Sequence, residues 1–105
     1  MMFRHGDVLI QKIDQIPDGT KEVPRENGAV VLAHGEVTGH THAIRAKGAR
    51  LRSETGQVAA RMYLHLLTSA WLRHEEHAPI ELPPGQYIVK RQREYTPERL
   101  RWVAD

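Results

Sequence analysis

The chain has 105 residues, of which 40% are hydrophobic and 27% charged, a composition that fits one soluble domain around a single core and excludes a disordered or membrane-spanning chain. It contains no cysteine, so disulfides, zinc fingers and iron–sulfur clusters are excluded, and any metal must be held by imidazole, carboxylate or carbonyl groups. A formal net charge of +2 identifies no partner, whereas seven histidines are many for this length, and their placement carries most of the information.

The opening MMFRHGDVLI has no apolar leader, and no stretch approaches the ~20 apolar residues of a membrane span. Cytoplasmic residence without a membrane partner is therefore expected. Asp7 to Ile13 carries apolar groups on both alternating faces and reads as a strand, with His5 in a flexible amino-terminal region. IPDGTKEVPRENG, with Pro17, Gly19, Pro24 and Gly28, reads as a long exposed loop ending in an Asn27-Gly28 turn. The apolar run Ala29 to Ala33 leads into GEVTGHTHAI, where Gly35 and Gly39 permit a tight change of direction between two short strands.

Lys47-Gly48 and Glu54-Thr55-Gly56 are further turns, at the spacing of a β meander or sandwich. Val58 to Leu72 fits either a helical stripe or a strand, and the alternation of Met62, Leu64 and Leu66 with Arg61, Tyr63 and His65 favours the strand. Thr68-Ser69 then becomes a hairpin turn, followed by a strand with Ala70, Leu72, His74 and Glu76 on one face. Pro83-Pro84-Gly85 is a turn, Gln86 to Arg93 resumes a strand, and Thr96-Pro97-Glu98 has the cap, proline and acid of a short C-terminal helix. The expected fold is thus a mainly β single domain spanning residues 1–105, a small barrel or sandwich closed by that helix.

Residues two apart on a strand point the same way, so His40 and His42 can converge on one ion. The same alternation gives His74 and Glu76 from RHEEHAPIEL, and a turn or bulge within HEEH would bring His77 inward instead of Glu76. Three imidazoles and a carboxylate suit a divalent ion such as Zn, Ni, Mn or Fe, or Cu(II). Of the others, His34 is expected to serve in hydrogen bonding and His65 in structure, while Glu36 is either an exposed turn residue or an orienting carboxylate.

With GEVTGHTHAI, a later histidine-bearing segment and PPGQY, the chain resembles the cupins, whose HxH pair, glutamate and later histidine bind metal inside a small β-barrel. It departs from that pattern in having no glutamate shortly after His42 and in placing the Pro-Gly turn after the second histidine segment. Over its whole length it is more similar to a group of uncharacterised small bacterial and phage-type proteins with HGDVLI, GEVTGH, HEEHAPI, PPG and QREY segments in this order. That likeness implies one module from HGDVLI to QREYTPE and no particular activity.

An open site of three histidines and a carboxylate is compatible with hydrolase, isomerase and oxygenase chemistry. No GxSxG elbow, phosphate loop, HExxH or cysteine nucleophile supports another catalytic route, and whether the chain is an enzyme is left open. The competing expectation is a nucleic-acid or protein-binding module using Lys90, Arg91, Arg93 and Tyr95, with Arg99, Arg101 and Trp102 nearby. A third is a structural role in a homo-oligomer, with hydrogen-bonded histidines.

Overall fold

The computed structural model describes residues 1–35, 38–91, 93–95 and 100–102, the last two stretches as backbone. Strands β1 (Met2–His5) and β2 (Val8–Ile13) form an antiparallel hairpin in which His5 lies opposite Val8 across the two-residue loop Gly6-Asp7. Gly6 has φ +62°, and a left-handed glycine at the first loop position is what a type II′ turn takes to match the twist of its strands. The amino-terminal histidine is therefore fixed in a sheet rather than flexible.

The expected long loop contains one short strand, β3 (Lys21–Glu22), and buries Val23 just after it. It ends in the expected Asn27-Gly28 turn. Both residues are left-handed, at φ 51° and 80°, and Glu26 and Ala29 exchange backbone hydrogen bonds of 2.8 and 3.0 Å across them. This turn launches β4 (Val30–His34), which pairs antiparallel with β5 (Thr41–Ile44) through a register shift between Val31 and Ala33.

Next come β6 (Ala49–Ser53) and β7 (Arg61–Leu66), so the ambiguous apolar stretch is a strand. The expected Thr68-Ser69 hairpin is not formed: β8 (Ala70–Leu72) pairs with β9 (Ile80–Leu82) rather than with β7. The turn instead carries the chain out of one sheet and into another. After Pro83-Pro84, β10 (Gly85–Arg91) pairs with both β2 and β7.

The largest sheet is antiparallel, in the order β1-β2-β10-β7-β6-β3. Its end strands β1 and β3 do not pair with each other, so among the described residues there is no closed barrel. The ribbons β4-β5 and β8-β9 are joined by Ala43 and Arg73, whose backbones exchange hydrogen bonds of 2.9 and 3.0 Å. One hydrophobic core takes Val8, Ile10, Leu51 and Leu64 from the large sheet and Leu32, Ile44, Leu72 and Leu82 from the ribbons. The large sheet and the two ribbons thus bury their apolar side chains in one shared core.

The C-terminal helix is a correction. Residues 100–102 form strand β12 (Leu100–Trp102), which pairs antiparallel with β11 (Arg93–Tyr95), while Thr96, Pro97 and Glu98 lie outside the described residues. Local capping chemistry favours a helix start, but strand pairing with the preceding segment prevails beyond it. Among the described residues no helix is long and apolar enough to cross a membrane.

Candidate metal centre

β5 supplies the first part of the site by simple alternation. Thr41 and Ala43 are half-buried, whereas His42 and Ile44 are fully buried, so His42 faces the interior. His40 lies just before the strand, its N–H donating to Thr38 Oγ1 at 3.1 Å.

The second histidine segment departs from the expected strand. β8 stops at Leu72, Arg73 makes a single bridge to Ala43, and the chain bends through residues 75–77. His74 Nδ1 holds that bend by accepting the backbone N–H groups of Glu76 at 3.0 Å and His77 at 3.3 Å. The bend breaks the two-residue period: Glu76 is 59% exposed, while His77 turns back against His74, with ring centroids 4.6 Å apart. Glu76 still approaches His40, its Oε1 3.7 Å from Nδ1.

Two site residues escaped the sequence reading, His5 and Asp7. Both are almost completely buried, and the Gly6-Asp7 turn delivers them from opposite sides of one hairpin end. The sequence signal was His-Gly-Asp itself, a two-residue hairpin loop opening with glycine just before an apolar strand. His5 Nε2 donates to the Ala78 carbonyl at 2.9 Å, which leaves Nδ1 to face His42 Nδ1 at 3.0 Å. On the far side of the His42 ring, Nε2 lies 3.5 Å from Asp7 Oδ1, and Asp7 Oδ2 accepts from Arg91 Nε.

The result is a bowl of five imidazoles, from His5, His40, His42, His74 and His77, with neighbouring ring centroids 4.4 to 6.2 Å apart. Gly6 forms part of its wall: a Cβ there would stand 2.7 Å from His77 Nε2 and 3.0 Å from His42 Cε1. Gly6→Ala is accordingly expected to lower stability by about 1–2 kcal/mol through its left-handed backbone and to push the His77 ring aside. Denaturant unfolding measures the first effect, and the His77 ring resonances in NMR spectra report the second; an unchanged midpoint with unchanged resonances would contradict this packing.

A third unforeseen member is Glu75. One donor atom from each of His40, His74 and Glu75 lies within 4.8 Å of the other two, with both histidines half-buried and the glutamate exposed. Glu75 Oε1 accepts the Thr41 N–H at 3.0 Å, and this bond, helped by His40 and His74, holds its carboxyl below the usual range. The carboxylate of this trio is that of Glu75, next in sequence to the Glu76 expected from strand alternation. Further in, Asp7 Oδ1, His40 Nδ1 and His77 Nε2 are buried without a hydrogen-bond partner among the described residues.

Burial lowers the pKa of His5, with His77 and His74 adding to the effect and the Ala78 carbonyl opposing it. A lowered histidine pKa means that the unfolded chain takes up this proton first as pH falls. Its contribution to stability is complete above pH ~6.5 and is lost as pH falls through the folded value. Unfolding midpoints are expected to decline from pH 8 to pH 5, with a shallower decline in His5→Gln; an equal slope in both proteins would refute the assignment.

The remaining expected residues lie elsewhere. His34 Nε2 pairs with Glu26 at 2.9 Å, and His65 sits in β7 between Arg50 and Gln86. Glu36 lies outside the described residues. Of the basic stretch, Lys90 is exposed but Arg91 is occupied by Asp7, and the side chains of Arg93 and Tyr95 lie outside the described residues.

Residues 4–92 match the family described as a domain of unknown function, DUF8820. The chain belongs to this family. The match covers every member of the imidazole bowl, from His5 to His77, so the site is internal to the DUF8820 domain. No curated protein and no solved structure matches this DUF8820 chain. The open sheet gives no support to the cupin resemblance, which implied a closed barrel.

Proposed function

We propose that this DUF8820 chain is a small cytoplasmic divalent-metal protein, with the ion held by His40, His74 and Glu75 at the mouth of the imidazole bowl. The carrying observation is the approach of their three donor atoms to within 4.8 Å of one another. Two imidazoles and one carboxylate on a partly exposed rim would leave positions for water or substrate, a donor combination suited to Fe(II), Mn(II), Ni(II) or Zn(II). His74 Nδ1 accepts two backbone N–H groups, so ligation of an ion through Nε2 would require the ring proton to move to Nδ1 and those two contacts to open.

The deeper residues serve the rim. His42, linked to His5 on one side and facing Asp7 on the other, packs against His74 with ring centroids 4.4 Å apart and fixes its position. Glu76 stands beside His40 Nδ1 as the carboxylate that orients a ligating ring, rather than as a ligand itself. His42, Glu76 and His77, all reasonable ligands by sequence, thus become supports in this reading.

Elemental analysis of tag-free protein, followed by titration of the stripped protein with Zn(II), Mn(II), Ni(II) and Fe(II), tests the proposal. About one tightly held ion per chain is expected. Failure of all four ions to bind would leave the bowl as a hydrogen-bonded structural cluster and overturn the reading.

A further inference from the structure

Beside the rim, a recess of about 220 Å³ is lined by His74 and Glu75, by Arg45 and Arg73, and by Thr41 and Ala43. The alternation that points His42 inward points Thr41, Ala43 and Arg45 outward, and the Ala43–Arg73 bridge brings the second arginine alongside. Neither guanidinium has a carboxylate partner among the described residues. Arg45 makes one long contact, 3.3 Å from Nη1 to the Asn27 carbonyl, and Arg73 lies 5.8 Å over the centre of the Trp71 ring. The one carboxylate in the recess, Glu75, is engaged by the Thr41 N–H and by the rim histidines.

The charge around the opening continues outward. Arg45 also lines a neighbouring depression with Arg25, Lys47 and Arg50, against which stands only Glu22. Arg25 is held rigid there by the carbonyls of Gly28, Ala46, Lys47 and Ala49, which orient its guanidinium without cancelling its charge. The approach to the recess is therefore cationic, and such a surface concentrates small anions at its opening.

We infer that the recess takes a small oxyanion, a carboxylate in the first instance, clamped between Arg45 and Arg73 with its other end turned toward His74 and Glu75. Guanidinium groups match planar carboxylates through paired N–H bonds, and this planar fit favours a carboxylate over a neutral amide of the same size. At about 220 Å³ the recess is of a size for a small, metabolite-sized acid. As a substrate site this rests on the metal reading above, because only an ion on the rim would give the bound acid a reactive partner. The arginine clamp itself stands without metal.

Titrating metal-stripped protein with succinate, inorganic phosphate and neutral succinamide, followed by heteronuclear NMR of the arginine side chains, tests the clamp independently of the ion. Saturable succinate binding, shifts at Arg45 and Arg73, and at least tenfold weakening in Arg45→Ala and in Arg73→Ala are expected, with succinamide inert. Phosphate binding as tightly as succinate and lost in the same variants would assign the clamp to phosphate esters. Succinamide binding equal to that of succinate, retention of binding in the double variant, or no saturable binding would overturn it. Repeating the titration with Zn(II), Mn(II), Ni(II) and Fe(II) in turn separates the two readings: a clamp that works while none of the four ions binds removes the metal proposal and leaves the oxyanion site.

Discussion

Replacing His40 and His74 together by alanine is expected to abolish stoichiometric metal uptake while leaving the hydrophobic core intact and releasing the bend that His74 Nδ1 holds. Both rings are only half-buried and lie outside the hydrophobic core, so truncation opens the rim without creating an internal cavity. Loss of two of the three donors should weaken binding by more than ~100-fold, since even the outer partners of metal ligands are worth 10–100-fold. Glu75→Gln should have a similar effect by removing the anionic donor, and Glu76→Gln only the smaller effect of an orienting partner. His34→Ala serves as the control, because that ring is engaged with Glu26 away from the bowl. Elemental analysis and calorimetric titration of these proteins decide the matter, and undiminished stoichiometry in the His40, His74 double variant would move the ion inward to His5 and His42.

The second large effect concerns stability. Asp7→Ala is expected to cost about 3–5 kcal/mol, the magnitude found when one member of a buried ion pair is removed. Asp7 is completely buried, its Oδ2 accepts from Arg91 Nε, and its Oδ1 faces the buried His42. Alanine leaves the guanidinium, 18% exposed, and the imidazole beside an uncompensated hole. For a domain of this size the melting temperature should fall by more than about 10 °C. Arg91→Met combined with Asp7→Ala should restore part of the loss, because the guanidinium that faced the carboxylate is removed with it. A single Asp7→Ala protein that unfolds within about 1 kcal/mol of wild type would show that the pair does not hold the hairpin end in place.

Features whose cause is local were legible in the sequence. Asn27-Gly28 announces its own turn because few residues other than asparagine and glycine enter the left-handed region without strain, and the turn is present. The strands at Val8–Ile13, Arg61–Leu66 and Gly85–Arg91 follow from apolar alternation. The inward aim of His42 follows from the same two-residue period.

Features that depend on which distant segments meet were not legible. His74 and Glu76 share a face only if the strand continues; the backbone bends instead and His77 lies against His74, in line with the alternative of a turn within HEEH, but nothing in the segment showed that Glu75 would join His40 and His74. The barrel expectation failed for a related reason, since period-two patterning specifies which face of a strand is buried but not whether the edges of a sheet join. By itself the sequence determined a β domain without thiol chemistry, with histidines gathered in two short segments. Only the tertiary structure decided that His5 and Asp7 join them, because contacts of 3.0 Å between residues 37 positions apart depend on the packing of whole sheets and leave no periodic trace in either segment.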